Sequence, residues 1–173
     1  MSRSKFRRSI LVIGTAIIGA NALLDSASAV EIPSVISAPD LKVVARFHAI
    51  GDQIYACAPG RDGALAWVFR QPLAALFDPS GESVGAHFVG PRWVLDDGSL
   101  VKGAVIAASP GATSNDVAWL KLKVTEHKGS GLLSDVTTVQ RINVSGGNLT
   151  GNCQTKGELK RVPYSADYVF LSP

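Results

Sequence analysis

Apolar and polar positions alternate along most of this chain, and the alternation breaks at short intervals on Gly, Pro, Asn or Asp. Lys42–Ile50 sets Val43, Ala45 and Phe47 against Val44, Arg46 and His48, a two-residue period that predicts a strand. Gly51-Asp52 is a turn signal and Gln53–Cys57 resumes the pattern, so a hairpin is predicted there. Leu65–Phe69 alternates large and small side chains, Gln71-Pro72 interrupts, and Ala74–Phe77 runs into the turn Asp78-Pro79-Ser80-Gly81. Further strands are predicted at Val84–Val89, Arg92–Leu95, Leu100–Ala107, Ala118–Val124, Val136–Val144 and Tyr164–Leu171. Between them lie Gly90-Pro91, Asp96-Asp97-Gly98, a loop from Pro110 to Asn115, and Gly129-Ser130-Gly131. Beyond the first 29 residues no window sustains an i, i+3, i+4 apolar repeat; Pro72–Phe77 comes nearest and is too short for a helix. Many short strands with frequent turns predict an all-β, single-domain antiparallel β-sandwich or barrel over residues 41–173. Residues 30–40 carry Pro33 and Pro39 without periodicity and read as an extended lead-in.

Residues 1–29 have a different pattern. Arg3, Lys5, Arg7 and Arg8 precede an apolar stretch from Ile10 to Leu24, and Ala27-Ser28-Ala29 ends it with small residues. That is the layout of a secretory signal peptide cleaved between Ala29 and Val30. The apolar stretch is shorter than the ~20 residues a membrane span needs, so no stable span is expected after cleavage. Arg7-Arg8-Ser9-Ile10-Leu11 also has the shape of a twin-arginine signal, which leaves the export route open. The expected location is periplasmic or extracellular.

This segment changes the meaning of the charge. The full chain of 173 residues holds 17 Lys and Arg against 14 Asp and Glu, a net charge of +3. Four of the basic residues and one acidic residue, Asp25, lie in residues 1–29, which leaves 13 of each sign in the remainder. The exported part is neutral and has no long basic run, which argues against a nucleic-acid partner.

Both cysteines, Cys57 and Cys153, survive cleavage. In an oxidising compartment they are expected to form a disulfide. Closing a loop of about 95 residues would contribute roughly 4–5 kcal/mol by chain entropy, less any strain.

Candidate chemistry is sparse. The segment from His87 to Ser99 gathers a histidine, two carboxylates and a hydroxyl. His87 as general base, oriented by Asp97, with Ser99 nearby, would make a hydrolase-type site. The alternative is structural: Asp96 and Asp97 serve turns, and His87 lies in a half-buried strand opposite Trp93. Ser99 lacks the G-x-S-x-G elbow. The histidines His48, His87 and His127 are isolated in sequence, so no metal site is expected. No dinucleotide or phosphate-loop fingerprint is present, and no cofactor is expected. Trp67, Trp93 and Trp119 are candidate ligand-stacking residues, with core packing as the alternative. Asn143 and Asn148 sit in glycosylation-type sequons that read as turn chemistry.

A set of residues recurs in a familiar order: Tyr55-Ala56-Cys57, Trp67, Gly85-x-His87-x-x-Gly90-Pro91-x-Trp93, Asp97-Gly98-Ser99 and Trp119-Leu120. It continues with Gln140-Arg141-Ile142-Asn143, Gly146-Gly147, Cys153 and Val162-Pro163-Tyr164-x-Ala166-x-Tyr168-x-Phe170. On these residues, from Leu41 to Phe170, the chain resembles the secreted domain-of-unknown-function family 3455 of bacteria and fungi. Some members of that family carry a malate-dehydrogenase label, for which this chain has neither the nucleotide fingerprint nor the α/β alternation. The resemblance implies no activity. The leading expectation is a non-enzymatic binding or envelope-associated module for a small molecule, glycan or envelope component. The alternative is a secreted hydrolase built on His87, Asp97 and Ser99.

Overall fold

Gly51 does not turn the chain. In the computed structural model, which describes residues 31–173, strand β1 (Lys42–Pro59) continues straight through Gly51-Asp52, so the expected hairpin is absent. Gly51 pairs with Ala74 on one side and with Tyr164 on the other. A Cβ at this position would land on the Leu73 carbonyl oxygen and the Ala74 Cα. Glycine is used here for close backbone approach at a bend, a role that the dipeptide alone does not distinguish from a turn.

Seven more strands follow: β2 (Leu65–Phe77), β3 (Ser83–Phe88), β4 (Arg92–Leu95), β5 (Leu100–Ser109), β6 (Trp119–Lys128), β7 (Thr138–Gly146) and β8 (Leu159–Ser172). Each pairs antiparallel with the next, and β8 returns to pair with β1 from Ser172 opposite Lys42 to Leu159 opposite Ala56. Of the two expected all-β architectures the molecule is the closed barrel. Pro72 and Pro163, which were expected to break or precede strands, lie inside β2 and β8, opposite Gln53 and Asp52 of β1. The β1–β2 register slips between Ile54 and Tyr55 beside this point, and bulges are where a sheet tolerates proline.

Inward positions follow the two-residue period. β1 contributes Phe47, Ala49, Gln53 and Tyr55, and β8 contributes Tyr164, Ala166, Tyr168 and Phe170; all are buried. Outward positions such as Arg46, His48 and Lys123 are exposed. One end of the barrel is filled by Phe47, Leu76, Leu95, Val101, Val139 and Phe170, with Leu133 and Val136 from the β6–β7 connection closing it. The opposite end carries the β1–β2, β3–β4, β5–β6 and β7–β8 connections.

The lead-in is not simply extended. It makes one 3-10 turn at Ser34–Ile36 and lies on the outside of the barrel, where Ile36 packs with Ile142, Val169 and Leu171. Gln140 Nε2 donates to the Ile36 carbonyl at 2.6 Å and Lys121 Nζ to the Ser37 carbonyl at 2.8 Å. The expected signal peptide and its cleavage between Ala29 and Val30 lie outside the described residues.

Cys57 and Cys153 form the expected disulfide. It ties the β7–β8 connection to the end of β1. Backbone bonds reinforce it: Cys57 N–H donates to Glu158 O, Gly157 N–H to Cys57 O and Cys153 N–H to Leu65 O.

Candidate functional site

Eight strands are enough to leave an interior space for one small ligand when the side chains do not fill it. Here they fill one end and leave a cavity of about 490 Å³ at the other. Its walls are mostly apolar: Phe69, Trp93, Val117, Leu120 and Leu122 line it, with Val89-Gly90-Pro91 of the β3–β4 turn at the rim. Set among these are Gln53, Tyr55, His87, Arg141 and Tyr168, with the exposed Arg70 also on the lining.

Burial and hydrogen bonding define what these polar groups offer. His87 is 3% exposed and its ring stacks on Trp93, with centroids 4.7 Å apart and planes within 10°. Tyr168 packs against both rings, 4.8 Å from His87 and 5.3 Å from Trp93. His87 Nδ1 lies 2.8 Å from the Arg92 carbonyl, which can only accept, so Nδ1 carries the proton and Nε2 is an acceptor. Burial, helped by the charge of Arg141, pushes the His87 pKa down to about 3, so the ring is neutral at physiological pH. Burial raises the pKa of Tyr55, Tyr164 and Tyr168, so these phenols stay protonated. Tyr55 donates to the Gly147 carbonyl at 2.8 Å and thereby holds the start of the β7–β8 connection over the rim.

Two residues of this lining each hold a buried donor with no partner among the described residues. Gln53 Nε2 and Trp93 Nε1 are inaccessible and make no hydrogen bond, although each residue is only 1% exposed. A buried donor without a partner costs about 1–3 kcal/mol. Gln53→Met, which keeps the length of the side chain and removes its polar atoms, is therefore expected to raise the unfolding free energy by about 1 kcal/mol. Urea unfolding of the two proteins measures this; an unchanged or lowered midpoint contradicts it.

The sequence grouped His87, Asp97 and Ser99. The structure brings the last two together and holds His87 elsewhere. Ser99 Oγ donates to Asp97 Oδ1 at 2.6 Å in the β4–β5 turn, at the filled end of the barrel. The other oxygen of Asp97 accepts from Leu132 N–H at 2.7 Å, and Ser99 Oγ accepts from Leu133 N–H at 3.3 Å. The Leu132 amide and the Ser99 bonds hold the Asp97 carboxyl below the usual carboxylate range. The pair thus fastens the β4–β5 turn to the β6–β7 connection, while His87 bonds to the Arg92 backbone in the cavity wall.

The three tryptophans also separate. Trp93 lines the cavity. Trp119 is half-buried between the barrel core and the lead-in, packing with both, and its Nε1 has no partner. Trp67 is half-buried next to the disulfide strand, with Lys160 Nζ 5.6 Å from its ring centre. Neither of these two belongs to the cavity lining.

Residues 37–172 match a protein family described as being of unknown function, DUF3455. The chain belongs to the DUF3455 family. No curated protein and no solved structure matches it. Among the described residues of this DUF3455 protein, no three His, Cys, Asp or Glu side chains converge as metal ligands. No described helix is long and apolar enough to cross a membrane. The disulfide is consistent with an exported DUF3455 domain.

Sequence reasoning passed over Gln53 and Arg141 as site residues. A signal was present for each. Gln53 occupies an inward position in the series Phe47, Ala49, Gly51, and Arg141 follows the inward Val139 by two residues. Polar side chains on the apolar face of a strand mark an unusual interior.

Proposed function

We propose that this protein is an exported, non-enzymatic binding module that takes a small, largely apolar molecule into the open end of its barrel. The observation that carries this reading is the cavity of about 490 Å³ at the open end of the barrel, walled mostly by apolar side chains with a few polar groups, Arg141 among them. Ligand sites are typically concave, mostly apolar and furnished with a few placed polar groups. Export to the periplasm or the extracellular space rests on the signal-like residues 1–29 and on the disulfide. The separation of His87 from the Asp97–Ser99 pair favours binding over the hydrolase alternative.

The test uses N-phenyl-1-naphthylamine, a neutral apolar dye that fluoresces on leaving water. The oxidised protein is expected to bind it at about one dye per chain. Leu120→Trp, which adds bulk to a half-buried wall position, is expected to weaken binding at least tenfold while circular dichroism stays unchanged. Absence of saturable dye binding by the folded wild-type protein overturns the proposal.

A further inference from the structure

We infer that the natural occupant of the cavity is an anion, an apolar molecule carrying one carboxylate, received by Arg141 with Arg70 also on the lining. The inference rests on the binding reading above and names the ligand class.

The polar lining is donor-rich. The Arg141 guanidinium has five N–H groups. It spends Nε and Nη2 on one acceptor, the Ala118 carbonyl, at 3.0 and 2.7 Å. Several of its N–H groups therefore remain for another acceptor.

The charge is equally one-sided. Arg141 and Arg70 line the cavity and no Asp or Glu does. The charge of Arg141 is felt across the space: it favours the ionised forms of Tyr55, Tyr164 and Tyr168 and disfavours protonation of His87. A cation in such a low-dielectric pocket attracts an anion more strongly than it would at a wet surface. A carboxylate supplies two oxygens that accept several donors at once, and bonds from ionised partners are the strong ones. His87 Nε2, an acceptor, repels a carboxylate, which leaves the donors named above to receive it. The apolar walls take the rest of the molecule.

The experiment is displacement of the neutral dye from the oxidised protein by three ligands with the same twelve-carbon tail: dodecanoate, dodecanol and dodecylammonium. Dodecanoate is expected to displace the dye at a concentration at least tenfold below that of dodecanol, with dodecylammonium weakest. Arg141→Gln is expected to bring acid and alcohol to near parity, and Arg70→Gln to reduce the preference for the acid several-fold. Equal displacement by acid and alcohol, or preference for the ammonium, overturns the carboxylate inference but leaves the binding module standing. Failure of the dye itself to bind overturns both. If Arg141→Gln does not fold, the acid-to-alcohol ratio of the wild-type protein and of Arg70→Gln decides the matter.

Discussion

Replacing Cys57 and Cys153 together by serine is expected to lower the unfolding free energy by about 4–5 kcal/mol. The bond closes a loop between residues 96 positions apart, and the entropy removed from the unfolded chain grows with loop length. For a domain whose total stability is of the order of 5–15 kcal/mol this is a large fraction. The effect is readable as a shift in the urea midpoint, and the slope of the transition is expected to change as well because the unfolded state becomes less compact. A loss below about 1 kcal/mol would mean that native strain cancels the entropic gain. The change also has a local consequence. The disulfide anchors the β7–β8 connection, whose first residues are held over the cavity rim by Tyr55 and by the Asp116–Gly147 bridge. Dye affinity of the reduced or serine protein is therefore expected to fall even under conditions where the barrel remains folded.

The second large effect is on pH dependence. His87 has a folded-state pKa of about 3, against an ordinary histidine value near 6.5 in the unfolded chain. Between these values the unfolded state binds a proton that the native state refuses, so stability falls as the pH falls. Going from pH 7 to pH 5 is expected to cost about 2 kcal/mol from this group, and acidification through pH 3 brings the total towards about 5 kcal/mol. The carboxyls of Asp97 and Asp116, held low by backbone and side-chain hydrogen bonds, are ionised in both states above the ordinary carboxylate range, so their contribution is lost only in stronger acid. The measurement is a series of urea unfolding curves from pH 7.5 to 4.5. In His87→Gln the slope over this interval is expected to flatten; the same slope in variant and wild type would refute the assignment.

How much of this was legible in the sequence varies with the range of the interaction involved. Strand positions were legible because alternation is local: β4 begins and ends at the residues its pattern predicts, and β3 and β5 differ by one or two residues. The disulfide was legible because only two cysteines were present. Barrel closure was not, because it depends on β1 meeting β8, and alternation within either strand is the same in a sandwich. Gly51 and Pro72 were misread for a related reason. Each looks like punctuation until the neighbouring strand is in place to show what it accommodates. The candidate site divides in the same way. His87 and Trp93 stood out by residue type and spacing. Gln53 and Arg141 are ordinary polar residues whose importance comes from the direction in which the barrel points them. Asp97 and Ser99 are near His87 in sequence but separate from it in space, since each strand crossing carries the chain to the opposite end of the barrel.

The seam between β1 and β8 has a further consequence, for how the molecule comes into being. Lys42 pairs with Ser172, so the first strand finds its second partner only when β8 is present. A chain emerging N-terminus first therefore cannot complete the barrel before β8 has emerged, and until then β1 waits with one edge unsatisfied. Pairings this distant in sequence make folding slow, in the millisecond-to-second range of non-local β proteins. An open edge is also a template for other chains. Removing the segment after Tyr164 would leave that edge exposed for good and turn a closed molecule into an aggregating one.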